Sequence, residues 1–183
     1  MAVVLNNARM LSYQCLIALL YCSLSLLTLE FASFEHGHTI IWPAAGLALA
    51  VFIRFGIHYA LGVFVGALVA NLMIHYPLWT SITIAAGDTL APALAVFLLK
   101  ALPFSSHLYR LNDYLSLVFA AGLTAILSML IGGNSYIALY PALSLGDNSL
   151  LMNWWMSDVL GIVLITPLLL LYTPSALFKV VTK

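Results

Sequence analysis

Charge is what this chain has least of. Only 7% of its 183 residues are Asp, Glu, Lys or Arg, against about 25% in soluble domains. No stretch is polar enough, or long enough, to form a separate water-soluble domain. Basic residues are scarce too: six, balanced by six acidic ones. That leaves no basic surface of the kind that holds nucleic acid. Cysteine occurs twice, as Cys15 and Cys22 in one apolar run. Seven positions on a helix put them about 10.5 Å apart along the axis, too far for a disulfide with each other. Both read as packing residues. A nucleophile elbow, a paired-cysteine motif and a glycine-rich phosphate loop are all missing, and no catalysis or cofactor is expected.

What the chain has in excess is apolar sequence. Hydrophobic residues make up 64%, and the mean hydropathy is +1.10. The expected fold is all-α, a polytopic transmembrane bundle forming one domain over 1–183. A span needs about 20 mostly apolar residues, and six segments qualify: 10–29, 39–56, 58–76, 78–99, 112–132 and 153–173. The first lacks a small-residue cleavage site and reads as a retained helix. Residues 134–145 are apolar but too short to cross, which predicts an outer or re-entrant helix.

Orientation follows from the basic residues. With Arg9 in the cytoplasm, Arg54, Lys100, Arg110, Lys179 and Lys183 all fall on the cytoplasmic side. The other side receives Glu30, Glu35 and Asp147. Both termini are therefore expected in the cytoplasm. Trp79 and the pair Trp154–Trp155 then sit at the outer interface.

Small residues mark packing faces. Gly62, Gly66 and Ala70 recur every four positions in the third span, and Pro43, Gly46 and Ala50 form a similar seam in the second. Such spacing lets helices approach closely; it does not by itself assign a function. Gly161 is a further packing candidate in the last span.

Ionisable side chains inside a span are costly and usually face the bundle interior. Asp88 lies near the middle of the fourth span, on a face with Ser81, Ala85, Pro92 and Ala95. Pro92 has no amide hydrogen, so the Asp88 carbonyl loses its usual helical partner. This arrangement suits an ion, proton or ligand site, or a kink satisfied by neighbouring helices. Asp158 lies in the outer half of the last span, either as part of such a site or as a fold-fixing buried carboxylate. Asp88, Asp158, Asn71, Trp42 and Trp155 are the expected lining of a polar cavity open to the outside. Pro92 and Pro167 are the expected hinges. Glu35, His36 and His38 offer three potential metal ligands in four residues, but a solvated loop is the better reading and no metal site is expected. His58 and His75 sit at opposite ends of the third span and cannot share one haem. Asn71 and Asn134 also suit cap or interhelical hydrogen-bonding roles.

Two strings carry a family resemblance. Trp42-Pro43-Ala44-Ala45-Gly46-Leu47-Ala48-Leu49-Ala50 resembles the signature WPPAGLALA of the bacterial membrane-associated sensor domain of the first type, in the MASE family. Trp154-Trp155-Met156-Ser157-Asp158-Val159-Leu160-Gly161, followed by Thr166-Pro167-Leu168-Leu169-Leu170, is similar to that family's closing element. Ala70-Asn71 and Gly87-Asp88-Thr89-Leu90 lie where the family has polar positions. The resemblance covers roughly residues 10–175. The chain departs from the pattern at Ala44, where a second proline is common, and in showing six spans where eight are often assigned.

The resemblance implies an input module in the bacterial inner membrane that signals to a cytoplasmic output domain, either one turning over cyclic-di-GMP or a histidine kinase. It also implies a homodimer or a partner membrane protein in the bilayer. With the output domain expected after the last span, the chain is expected to be a piece of a longer protein. Two other readings stay open: a small ion- or proton-coupled transporter or channel subunit, although no internal repeat is found, and an anchor that only dimerises its output.

Overall fold

The computed structural model describes residues 2–31, 39–139 and 149–172, with side chains placed from residue 8 onward except at 149. The helices are α1 (Ala2–Phe31), α2 (Pro43–Phe55), α3 (Ala60–Met73), α4 (Leu78–Ala101), α5 (Leu111–Ser128), α6 (Asn134–Leu139) and α7 (Ser149–Leu171). A 3₁₀ turn, Ile57–Tyr59, leads into α3, and a π-helical turn, Met129–Gly133, joins α5 to α6. This is an all-α membrane bundle.

Four apolar helices are long enough to cross a bilayer: Ala8–Phe31, Leu78–Ala101, Leu111–Leu139 and Leu150–Leu171. Two shorter ones, Pro43–Phe55 and Ile57–Met73, complete the six expected positions. The second position differs most from the expected 39–56. Residues 41 and 42 are not helical, and α2 has only 13 residues, about 20 Å of helix against about 30 Å of hydrocarbon. Pro43 explains the late start: it disfavours helix at the preceding residue and suits the first helical turn.

The expected separate helix over 134–145 is corrected in its first half, where α6 continues α5 through the π turn; 140–145 lie outside the described residues. The π turn absorbs the register change at Gly132 and Gly133. A Cβ on Gly132 would stand 3.0 Å from the Trp154 ring, and one on Gly133 would stand 2.8 Å from Leu151.

Lipid gives helices little hydrophobic reason to associate, so close packing through small residues carries the assembly. α2 and α4 are the most enclosed. α2 buries Ala44, Ala45, Ala48, Leu49 and Phe52, while α4 buries Ala85, Ala91, Ala95, Val96 and Leu99. α1 packs on α3, α3 on α4, α4 on α5 and α5 on α7, and α2 fits between α7 and α4. Leucines and aromatics such as Leu19, Phe97, Phe119 and Leu168 face outward, as a lipid-facing surface requires.

Two crossings depend on glycine. Where α3 meets α1, a Cβ on Gly66 would stand 2.6 Å from the Ala18 carbonyl oxygen, and one on Gly62 would stand 2.7 Å from that of Gln14. Where α2 meets α7, a Cβ on Gly161 would collide with the Trp42 carbonyl oxygen, and one on Gly46 with that of Gly161. The seam is bolted by backbone and hydroxyl: Trp42 N–H donates to the Ser157 carbonyl (2.9 Å), and Thr166 Oγ1 to that of Gly46 (3.0 Å).

α1, α3 and α5 run one way and α2, α4 and α7 the other. Arg54, Lys100 and Arg110 therefore gather at one end, where Arg54 donates to the Leu169 carbonyl (3.3 Å). The Glu35–His38 string, Asp147, Lys179 and Lys183 lie outside the described residues.

Candidate functional site

Because α2 starts deep, the end of the bundle opposite Arg54, Lys100 and Arg110 has a recessed floor, walled by α1, α3, α4, α6 and α7. The space holds about 630 Å³ not filled by protein, its open margin included. Leu29 of α1, Asn71 and Ile74 at the end of α3, and Leu150 and Asn153 at the start of α7 form its rim. Tyr76 enters from the α3–α4 turn. There His75 adopts φ 65° and the Tyr76 N–H donates to the Asn71 carbonyl (3.1 Å). Asp88, Asp158, Trp42, Tyr136 and Trp154 lie further in.

The floor is a connected polar cluster in an apolar surround. Asp88 is 7% exposed and Asp158 4%. Tyr21 of α1, fully buried, donates its hydroxyl to Asp88 Oδ2 at 2.9 Å, and the Trp42 side chain hydrogen-bonds Tyr21 in turn. Ser128, the last residue of α5, is within hydrogen-bonding reach of both carboxylates, and its Oγ accepts from Trp154 Nε1 (3.2 Å). Four helices (α1, α4, α5 and α7) and the residue leading into α2 thus meet through their side chains. Asp88 lies ten positions after Leu78, about 15 Å along α4. No Lys, Arg or His is among the described lining residues.

The expected cavity residues divide. Asp88, Asp158, Asn71 and Trp42 share this space. Trp155 does not line it: its indole N–H donates to the Gly122 carbonyl at 2.8 Å, on the α5 side of α7. One residue of helix turns a side chain by about 100°, so Trp154 takes the place that Trp155 was expected to hold. Tyr21, Ser128, Tyr76 and Tyr136 were not anticipated. A polar tip within an apolar span is the signal that marks Tyr21 and Ser128, whereas Tyr76 and Tyr136 are brought to the site by turns.

The two prolines are integral to continuous helices. The Val163 carbonyl, deprived of its helical partner by Pro167, accepts from the Tyr114 hydroxyl of α5 at 3.4 Å. No group of three or more metal-ligand side chains occurs among the described residues.

A family model, MASE1, matches residues 11–176. The chain belongs to the MASE1 family. That makes it a membrane-associated sensor domain. The sensor domain matches no curated protein and no solved structure. Both end signatures touch the floor of the cavity, through Trp42 in the first and through Trp154 and Asp158 in the second. The segments that carry the resemblance are therefore the ones that build the site.

Proposed function

We propose that this sensor domain detects its stimulus in the cavity at the outer end of the bundle and passes it, through α7, to an output domain on the cytoplasmic side. The domain performs no catalysis of its own. The output either turns over cyclic-di-GMP or is a histidine kinase. The chain sits in the bacterial inner membrane with both termini in the cytoplasm, a reading that the gathering of Arg54, Lys100 and Arg110 at one end supports. A second copy or another membrane protein is the expected partner within the bilayer.

One observation carries the reading. The polar cluster at the cavity floor joins α1, α4, α5, α7 and the residue leading into α2, so an occupant there touches the packing of most of the bundle. A stimulus shifts a two-state receptor only through unequal interaction with the two states. A hydrogen-bonded cluster that an occupant can rearrange provides that inequality. α7 carries Asp158 at the floor and Leu171 at the far end, so it leads directly from site to output.

The test is Asp88→Asn in the full receptor. The substitution keeps shape and removes charge. If about 1 kcal/mol of differential interaction is lost, the ratio of the two states shifts roughly fivefold. Basal output should move by that order and the response should flatten. Output and response both unchanged, in a receptor present at normal abundance, would end the proposal. Cation or proton flux into liposomes containing the chain alone would instead favour the transport reading.

A further inference from the structure

The same cavity has a chemical character that narrows what it takes, and the inference drawn from it rests on the sensory reading above. Its deepest side chains are two carboxylates, Asp88 and Asp158, each more than nine-tenths buried. Asp88 receives the Tyr21 hydroxyl. For Asp158 the described partner is Ser128, whose single hydroxyl proton can serve only one of the two acids at a time. A carboxylate offers about four acceptor sites. Asp158 is thus a buried, under-partnered acceptor facing an open space, and no described basic side chain lines that space.

The walls are aromatic. Tyr76 and Tyr136 lie with ring centroids 5.7 Å apart, and Tyr136 and Trp154 6.2 Å apart. They form a continuous run of three rings, and Trp42 adds a fourth on the α2 side. Rings attract a cation through their negative faces and cannot ligate a hard metal ion. Two carboxylates among rings are a poor cage for calcium or magnesium and a good one for a positively charged nitrogen that carries carbon. Asp88 also lies about 15 Å along α4 from its start, beneath the depth of phospholipid headgroups.

We propose that the cavity binds a small water-borne organic cation, an amine or quaternary ammonium, with Asp158 and Asp88 as counter-ions and Tyr76, Tyr136, Trp154 and Trp42 as the aromatic cage. Buried carboxylates gain a partner that the protein does not supply, and the bound cation ties α4, α5 and α7 together at one depth.

Intrinsic tryptophan fluorescence of the purified chain in a maltoside detergent, which has no ammonium head, tests this. Titrants are tetramethylammonium chloride, ethylammonium chloride, tert-butanol and sodium chloride. The expected result is a saturable change with at least one ammonium salt and none with sodium chloride or with the neutral, similarly shaped alcohol. Asp158→Asn, checked for retained helicity, should raise the midpoint roughly tenfold, and Tyr136→Leu should raise it several-fold. Absence of a saturable ammonium response, an equal response to tert-butanol, or an unchanged midpoint in folded Asp158→Asn overturns the proposal. Should Asp158→Asn not fold, the four-solute comparison on the native chain still decides. Failure of the sensory reading looks different: the domain binds ammonium, but the output of the full receptor ignores it. If Asp88→Asn disables the receptor while the native domain binds no ammonium, the cation inference falls and the sensory reading stands.

Discussion

Tyr21 shows how one side chain couples distant parts of this chain. Its ring is wholly buried among apolar neighbours while its hydroxyl reaches Asp88, 67 positions later. Interhelical hydrogen bonds within membranes average about 0.6 kcal/mol and reach about 1.7, with charged acceptors toward the upper end. Tyr21→Phe keeps the packing, so it should lower stability by about 0.5–2 kcal/mol, measured by reversible unfolding in mixed micelles. A loss indistinguishable from zero would show that the Asp88 carboxylate finds another donor at no cost. Gln14 acts in the same manner at the other end. Its Nε2 donates to the His58 carbonyl (2.7 Å) and its Oε1 accepts from the Gly62 N–H (2.5 Å), so the start of α3 is held by α1. Asp113 does so at the start of α5, holding the preceding connection by accepting from the backbone N–H groups of Ser105 (3.0 Å) and Arg110 (3.1 Å). Both residues are visible in the sequence as polar side chains, but nothing there names their partners.

At the level of the element, the α2–α7 seam is the most exacting contact in the fold. Gly161→Ala drives a methyl into the Trp42 carbonyl, which belongs to a backbone already bonded to α7. Overpacking of this kind costs about 1–3 kcal/mol or more. Gly122→Ala is the control, since its Cβ would meet only the Trp155 ring, at 4.0 Å. The expected outcome is a lower unfolding midpoint for Gly161→Ala and little change for Gly122→Ala; equal effects would mean that the seam yields. The hinge assigned to Pro167 has its own test. Pro167→Ala restores an amide to the Val163 carbonyl, which now turns to Tyr114. Basal output of the full receptor should shift; basal and stimulated output both unchanged from the native receptor would remove the hinge. The expected seams at Gly46, Gly62, Gly66 and Gly161 were legible because close approach demands small residues at fixed spacing. Which helix each seam meets was not, because spacing carries no partner label.

For the whole molecule, the proposed topology predicts opposite accessibility for Trp79 and Tyr109, both strongly exposed at opposite ends of the bundle. With Cys15 and Cys22 replaced by alanine, Trp79→Cys should react with a membrane-impermeant thiol reagent added outside intact cells. Tyr109→Cys should react only after the membrane is opened. Labelling of both from one side would invalidate the orientation. Dependence on the basic residues is physical: Lys and Arg resist translocation, so their uneven placement orients a chain before it folds.

Composition alone made this a membrane protein, since apolar runs with almost no charge cannot be kept in water, and helices are what a bilayer permits such runs to form. Local spacing placed six helices, and buried aspartates announced a polar interior because their cost must be met inside the bundle. Tertiary structure decided the rest. That α2 begins deep and leaves a cavity above it depends on α7 receiving Trp42 beside Gly161. The choice of Trp154 over Trp155 for the wall depends on the rotation of α7 against α5. The meeting of Tyr21, Asp88, Ser128 and Asp158 depends on four helices arriving at one depth. Each is a relation between segments far apart in the chain, and contact across such distances is set by packing, which no single stretch of sequence encodes.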